Sequence, residues 1–218
     1  MNFIQRYWVL LVVGAFIFFF MLGNEASNNS VTPSSVNNEP EEVNLNQVLV
    51  ITVDTIYAFQ NKYGQNLQIA ATGPTDKSEL DTYATWAFVD ELQTAYNDAV
   101  PAINDTNIGV QPLVDASFIA FEDRNNDGEW SQNSENSLFQ IEIDGAQSRV
   151  IATSDYGAVN EYRVSGMPGF FTGYFIGSLM DRQRGAGISS SKLAAKKPIS
   201  AKAAARSRAG SGSYRRGK

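Results

Sequence analysis

The chain has 218 residues, 43% of them hydrophobic and 18% charged, with 17 Lys+Arg against 23 Asp+Glu and a formal net charge of −6. It contains no His and no Cys, which excludes disulfides, thiolate zinc sites, Cys nucleophiles, Ser-His-Asp triads and imidazole general bases. Metal binding is left with oxygen donors, and acid–base chemistry with carboxylates, Lys and Tyr.

Residues 1–23 read as an N-terminal transmembrane anchor. Residues 7–22 form an unbroken apolar or aromatic run, and residues 3–23 as a helix span roughly 30 Å, the thickness of a bilayer's hydrocarbon core. Arg6 precedes the run, while Glu25, Glu39, Glu41 and Glu42 follow it. The positive-inside rule then puts the N-terminus in the cytoplasm and the following chain outside, which predicts an inner (plasma) membrane protein of a bacterium with an extracytoplasmic domain. A cleaved signal peptide is the rival reading. Met21-Leu22-Gly23-Asn24-Glu25-Ala26 offers no clean small-x-small cleavage site, which favours an uncleaved anchor. Residues 24–44, rich in Asn, Ser, Pro and Glu, read as a flexible spacer.

Residues 45–163 predict an acidic α+β domain large enough for one core. Residues 48–63 are dense in β-branched side chains, yet Gly64 after Tyr63 looks like a helix C-cap, and a helix is the preferred reading. Residues 78–100 carry Leu80, Ala84, Phe88, Leu92 and Tyr96 at helical spacing and stop at Pro101. Beyond it the period falls to two. Residues 114–121, 137–143, 148–153 and 159–164 alternate apolar and polar between Asp-Gly and Ser-Asp-Tyr-Gly turns, which predicts a small antiparallel β-meander. Trp86, Phe88, Tyr96 and Phe118 are expected in the core.

One motif in this domain has chemical content. Asp123-Arg124-Asn125-Asn126-Asp127-Gly128 matches the opening of a calcium loop, D-x-[DN]-x-[DN]-G. Oxygen side chains at alternating positions converge on one point when the chain turns at Gly. Asp123, Asn125 and Asp127 are the predicted side-chain ligands. Glu129 occupies the seventh position, which would contribute its backbone carbonyl, and Glu135 is the candidate closing carboxylate. An EF-hand requires Glu at the twelfth position, and Ser134 stands there. The flanks read as strands, so the loop resembles the non-EF-hand calcium loops of exported bacterial proteins. It is also similar to the F-x-D-x-N-x-D-G-x-x-x-x-x-E pattern of some pseudopilins, through Phe121, Asp123, Asn125, Asp127 and Gly128, with Glu135 displaced by one. A long hairpin whose Asp and Asn side chains merely form Asx-turns is the alternative.

Residues 164–181 form a glycine-patterned segment with a single charge, Asp181. Gly169, Gly173 and Gly177 recur every four residues on one helical face, a spacing that lets helices pack closely in lipid. At 13 residues, a helix over 168–180 is short for a bilayer. Arg182, Arg184 and the later Lys and Arg would nevertheless satisfy the positive-inside rule if it crossed. A second membrane segment is therefore predicted, with a buried element of the domain or a self-association helix as alternatives. The local pattern Met167-Pro168-x-x-x-x-Gly173-Tyr174-x-x-Gly177-x-Leu179-Met180 resembles the tail of YgiB-like bacterial envelope proteins, and that resemblance implies an envelope location without an activity.

The net charge is the sum of two unlike parts. Residues 24–163 hold 22 acidic against five basic residues, while residues 182–218 hold 11 basic residues and no acid. Residues 182–218 read as a disordered, low-complexity tail. Placed in the cytoplasm, this tail would be drawn to anionic lipid, and nucleic acid ranks behind lipid as a partner. The functional expectation is a non-enzymatic, membrane-anchored envelope protein that works by interaction, through helix–helix self-association or with other envelope proteins, steadied by calcium. The alternatives are a basic-tail binder of anionic lipid or nucleic acid, or a carboxylate-based envelope hydrolase acting on glycans, for which Asp54, Asp90, Glu91, Asp115, Glu122 and Asp155 are available and Trp86 or Trp130 would face a sugar.

Overall fold

The computed structural model describes residues 43–164 and 171–210, with side chains to Ser207 in the last helix. The expected anchor at 1–23, the spacer to residue 42 and Gly169 lie outside the described residues. Those described form an α+β fold. A helical hairpin and a third helix cover one face of a five-stranded antiparallel sheet.

Helix α1 (Leu45–Thr72) begins at Asn44, whose side-chain oxygen accepts from the Asn46 and Gln47 amides at 3.1 and 3.3 Å. Its apolar face runs through Val48, Leu49, Val53, Ile56, Phe59 and Leu67. The helix does not stop at Gly64, as expected, but passes through it and ends at Gly73, whose N–H bonds to the Ala70 carbonyl. Glycine within a helix costs about 1 kcal/mol. Burial of Leu67, one turn later, is worth roughly 1.5–3 kcal/mol and outweighs it. Helix α2 (Lys77–Asn97) is capped by Asp76, which accepts from the Ser78 and Glu79 amides. Phe88 and Tyr96 are buried as expected; Trp86 is not, at 47% exposed.

The strands are β1 (Ile108–Pro112), β2 (Phe118–Glu122), β3 (Ser137–Asp144), β4 (Arg149–Ser154) and β5 (Val159–Arg163), paired in sequence order as a meander. Of the strand expected over 114–121 only Phe118 onward is strand, as β2; residues 114–117 are the turn from β1, in which Ala116 takes φ 59° and the Asp115 carboxylate accepts from the Ser117 amide. Strand β1 evades recognition because it is short and holds a Gly and a Pro. That Gly is required: a Cβ at Gly109 would stand 2.3 Å from the Phe121 ring. The outer edge of β1 is closed by side chains of α2. Asn97 exchanges two hydrogen bonds with the Ile108 backbone, and Gln93 accepts from the Val110 amide.

The core between helices and sheet centres on Phe59, Phe88, Phe118 and Phe175, with neighbouring ring centroids 4.9–5.5 Å apart. Phe175 belongs to helix α3 (Tyr174–Gly185), which packs on both α1 and α2 and buries Phe175, Ile176 and Leu179. Gln183, also buried, donates to the Ile143 carbonyl at 2.9 Å. This corrects the expected second membrane segment. Side chains that complete the core of a domain cannot also face lipid, and no helix among the described residues is long and apolar enough to cross a membrane.

The described chain beyond α3, to Gly210, also forms structure, where the tail over 182–218 was expected to be disordered. Helix α4 (Ser190–Ala195) and an extended stretch cross the second face of the sheet, and Ile199 bridges Val159 antiparallel at the β5 edge. Helix α5 (Ala201–Gly210) follows. The Leu193 and Lys196 carbonyls accept from Arg149, at 2.6 and 3.1 Å, and Lys196 pairs with Glu142. Segments in direct contact share one side of any membrane. In this fold residues 193–199 of the tail lie against the domain, not apart from it.

Candidate metal centre

The loop between β2 and β3 is held from several sides. The Asp123 amide donates to the Asn107 carbonyl at 2.9 Å, Asn107 bonds Asn126, and the Trp130 amide donates to the Gln111 side chain. Within the loop, Asn126 at φ 57° and Gly128 at φ 72° reverse the chain. The turn aims the Gly128 amide at Asp123 Oδ2, 3.1 Å away, and the Glu129 amide at Asp127 Oδ1, 2.8 Å away. Farther on, Ser131 donates its amide to Glu135 Oε2 at 2.9 Å.

The result is a convergence of three carboxylates. Asp123, Asp127 and Glu135 each present an oxygen, and the three oxygens lie within 4.8 Å of one another. Asp123 and Glu135 are buried at 7% and 6% exposure. In each, one oxygen is pinned by a backbone amide while the other, Oδ1 of Asp123 and Oε1 of Glu135, is buried without a hydrogen-bond partner. Buried, unpartnered carboxylate oxygens are costly in a native fold, and a cation held between them would satisfy both. Arg124, the one cation of the loop, is turned away onto Glu122.

The donors are oxygens alone, without nitrogen or sulfur, the set that hard cations such as calcium, magnesium and manganese take.

Of the five predicted ligands, the structure brings Asp123, Asp127 and Glu135 together. Asn125 stays beside them, its Nδ2 bonded to Asp127 Oδ2 at 2.8 Å and its Oδ1 accepting from the Asp127 amide. The Glu129 side chain is exposed and is not among the three converging carboxylates. Asn107 and Gln111, which seat the loop on the neighbouring backbone, escaped the sequence reading because nothing local marks them.

The glycine-face residues behave differently from expectation. Gly173 is the N-cap of α3 at φ 99°, and a Cβ at Gly177 would meet nothing within 4 Å. Neither lies in a close helix–helix seam among the described residues. Four of the six carboxylates considered for hydrolysis have local roles: Glu91 pairs with Lys62, Asp115 caps the β1–β2 turn, Glu122 holds Arg124, and Asp155 accepts from Ser137. Comparison with known protein families, with curated proteins and with solved structures returns no match for this chain.

Proposed function

We propose that this chain is a membrane-tethered protein of the bacterial envelope whose α+β domain lies outside the cytoplasm, works by interaction and is completed by calcium. The tether rests on the apolar run at 7–22 and its flanking charges. The observation that carries the calcium reading is the pair of buried, unpartnered oxygens on Asp123 and Glu135, within reach of Asp127. Extracellular calcium modules bind with dissociation constants of about 0.1–1 mM, and calcium supplied outside the cell suits a structural site of that strength.

The test is thermal unfolding of the full chain in detergent, in calcium and in chelator. In about 5 mM calcium, about 5- to 50-fold over such a dissociation constant, the ion stabilises by about 1–2.3 kcal/mol, which for a domain of this size raises Tm by roughly 2–9 °C. Chelation reverses the shift, and Asp123→Asn and Glu135→Gln each lose it. An unchanged Tm in about 5 mM calcium refutes the proposal.

A further inference from the structure

The two ends of the described chain meet. Val43 to Asn46, where the polypeptide enters the domain, and Pro198 to Ser200, from which α5 departs, line one groove of about 570 Å³, and Asn46 accepts from Asn160 across it. Helix α5 then carries Lys202 and Arg206 exposed to solvent, and neither forms an ion pair among the described residues, although the domain is strongly acidic. From residue 201 onward the sequence holds six basic residues and no acid. Earlier in the tail, Arg184 pairs with Asp181 and Lys196 with Glu142, Lys192 donates to the Gly187 carbonyl, and Arg182 and Lys197 form no ion pair among the described residues. The tail is folded onto the sheet as far as Ile199, and beyond it the two described cations, Lys202 and Arg206, face solvent.

We infer that α5 and the basic residues after it dock on the anionic phospholipid surface of the same membrane that the N-terminal segment enters, giving the domain a second, electrostatic attachment. This inference rests on the tether proposed above. A basic residue near an anionic membrane contributes about 1 kcal/mol, and the attraction fades within a Debye length of about 8–10 Å. Six such residues bind weakly from free solution. The tether changes that, because the composition of residues 24–42 predicts a reach of roughly 25 Å. A site held at such a distance experiences an effective concentration in the millimolar range. Lipid is favoured over nucleic acid on this ground: the membrane is tethered next to the helix, whereas nucleic acid must arrive from solution.

The wild-type chain has no Cys, so Ser211→Cys in the full chain accepts an environment-sensitive dye without background. The protein is reconstituted into vesicles of phosphatidylcholine alone and of phosphatidylcholine with phosphatidylglycerol. The expected result is a blue shift of the dye only in the phosphatidylglycerol vesicles, reversed by high salt. The shift is lost when Lys202, Arg206, Arg208, Arg215, Arg216 and Lys218 are all replaced by Gln, with Tm unchanged. Co-flotation in high salt reports the tether separately. Equal spectra in both vesicles with salt-resistant flotation overturn this inference and leave the tether standing. Flotation abolished by salt removes the tether and this inference together. A dye response transferred to an added single-stranded oligonucleotide in the presence of phosphatidylglycerol vesicles assigns the tail to nucleic acid instead.

Discussion

Arg149 is 1% exposed, and a guanidinium so deep is tolerated only because its charge is answered on every side. Asp144 meets its Nε at 3.0 Å, Glu161 meets Nη1, and the Leu193 and Lys196 carbonyls take the remaining donors. Burial acts against the charge on Arg149, but the two carboxylates outweigh it and raise the pKa. Removing one member of such a set strands the others. Arg149→Met is expected to lower stability by about 3–5 kcal/mol in chemical denaturation. Arg149→Lys recovers only part, because an ammonium cannot match the planar fork to four acceptors. The carboxylate cluster of the β2–β3 loop was legible in the sequence because its residues are near neighbours joined by one turn. Arg149 was not, since its four partners lie 5, 12, 44 and 47 residues away. Sequence spacing carries information about a site only where the backbone itself brings the residues together.

Among the elements, α2 and four of the five strands follow from apolar periodicity and turn residues. The errors have physical causes. Gly64 looks like a helix end only while Leu67 is not known to be buried, and β1 is a strand in spite of its composition because α2 closes its edge. The glycine-patterned segment was the hardest to read. An apolar stretch that finishes a domain core and one that sits in lipid have the same composition, and only tertiary contacts separate them. The two readings of Gly177 differ in outcome. A glycine in a helix seam is disrupted by a methyl group, whereas here a Cβ meets nothing. Gly177→Ala is expected to stabilise by about 0.5–1 kcal/mol and to raise Tm by a few degrees. A fall in Tm restores the packing role.

At the scale of the molecule, the segregation of charge was legible but its meaning was not. Opposite charges in two parts of a chain are compatible with two compartments or with one surface folded onto another, and Lys196 on Glu142 is an instance of the second. Ser131→Cys and Ser207→Cys, each alone, should react with an impermeant maleimide from the same side of the membrane. Labelling from opposite sides contradicts the fold. The docked segment should also respond to acid. Burial works against ionisation of Glu161, but Arg149 and then Arg163 outweigh it and hold its carboxyl below the ordinary glutamate range. Because the folded pKa is depressed, the linked stability is complete above about pH 4.5 and is lost as pH falls through the lower folded value. Hydrogen exchange at the Ile199 amide, corrected for its intrinsic pH dependence, should accelerate in that window, and Glu161→Gln should flatten the response.

The crossing of residues 193–199 over the sheet has a consequence for how the protein is made. A growing chain completes β1 to β5 before Leu193, Lys196 and Ile199 exist, so Arg149 spends its first moments with two carboxylates and neither carbonyl. At 5–20 residues per second, the interval from Arg149 to Ile199 lasts roughly 3–10 s. During it the second sheet face lacks the cover of residues 193–199. Products that end before Leu193 keep Arg149 without its two carbonyl acceptors and are expected to be less stable than the full chain in chemical denaturation.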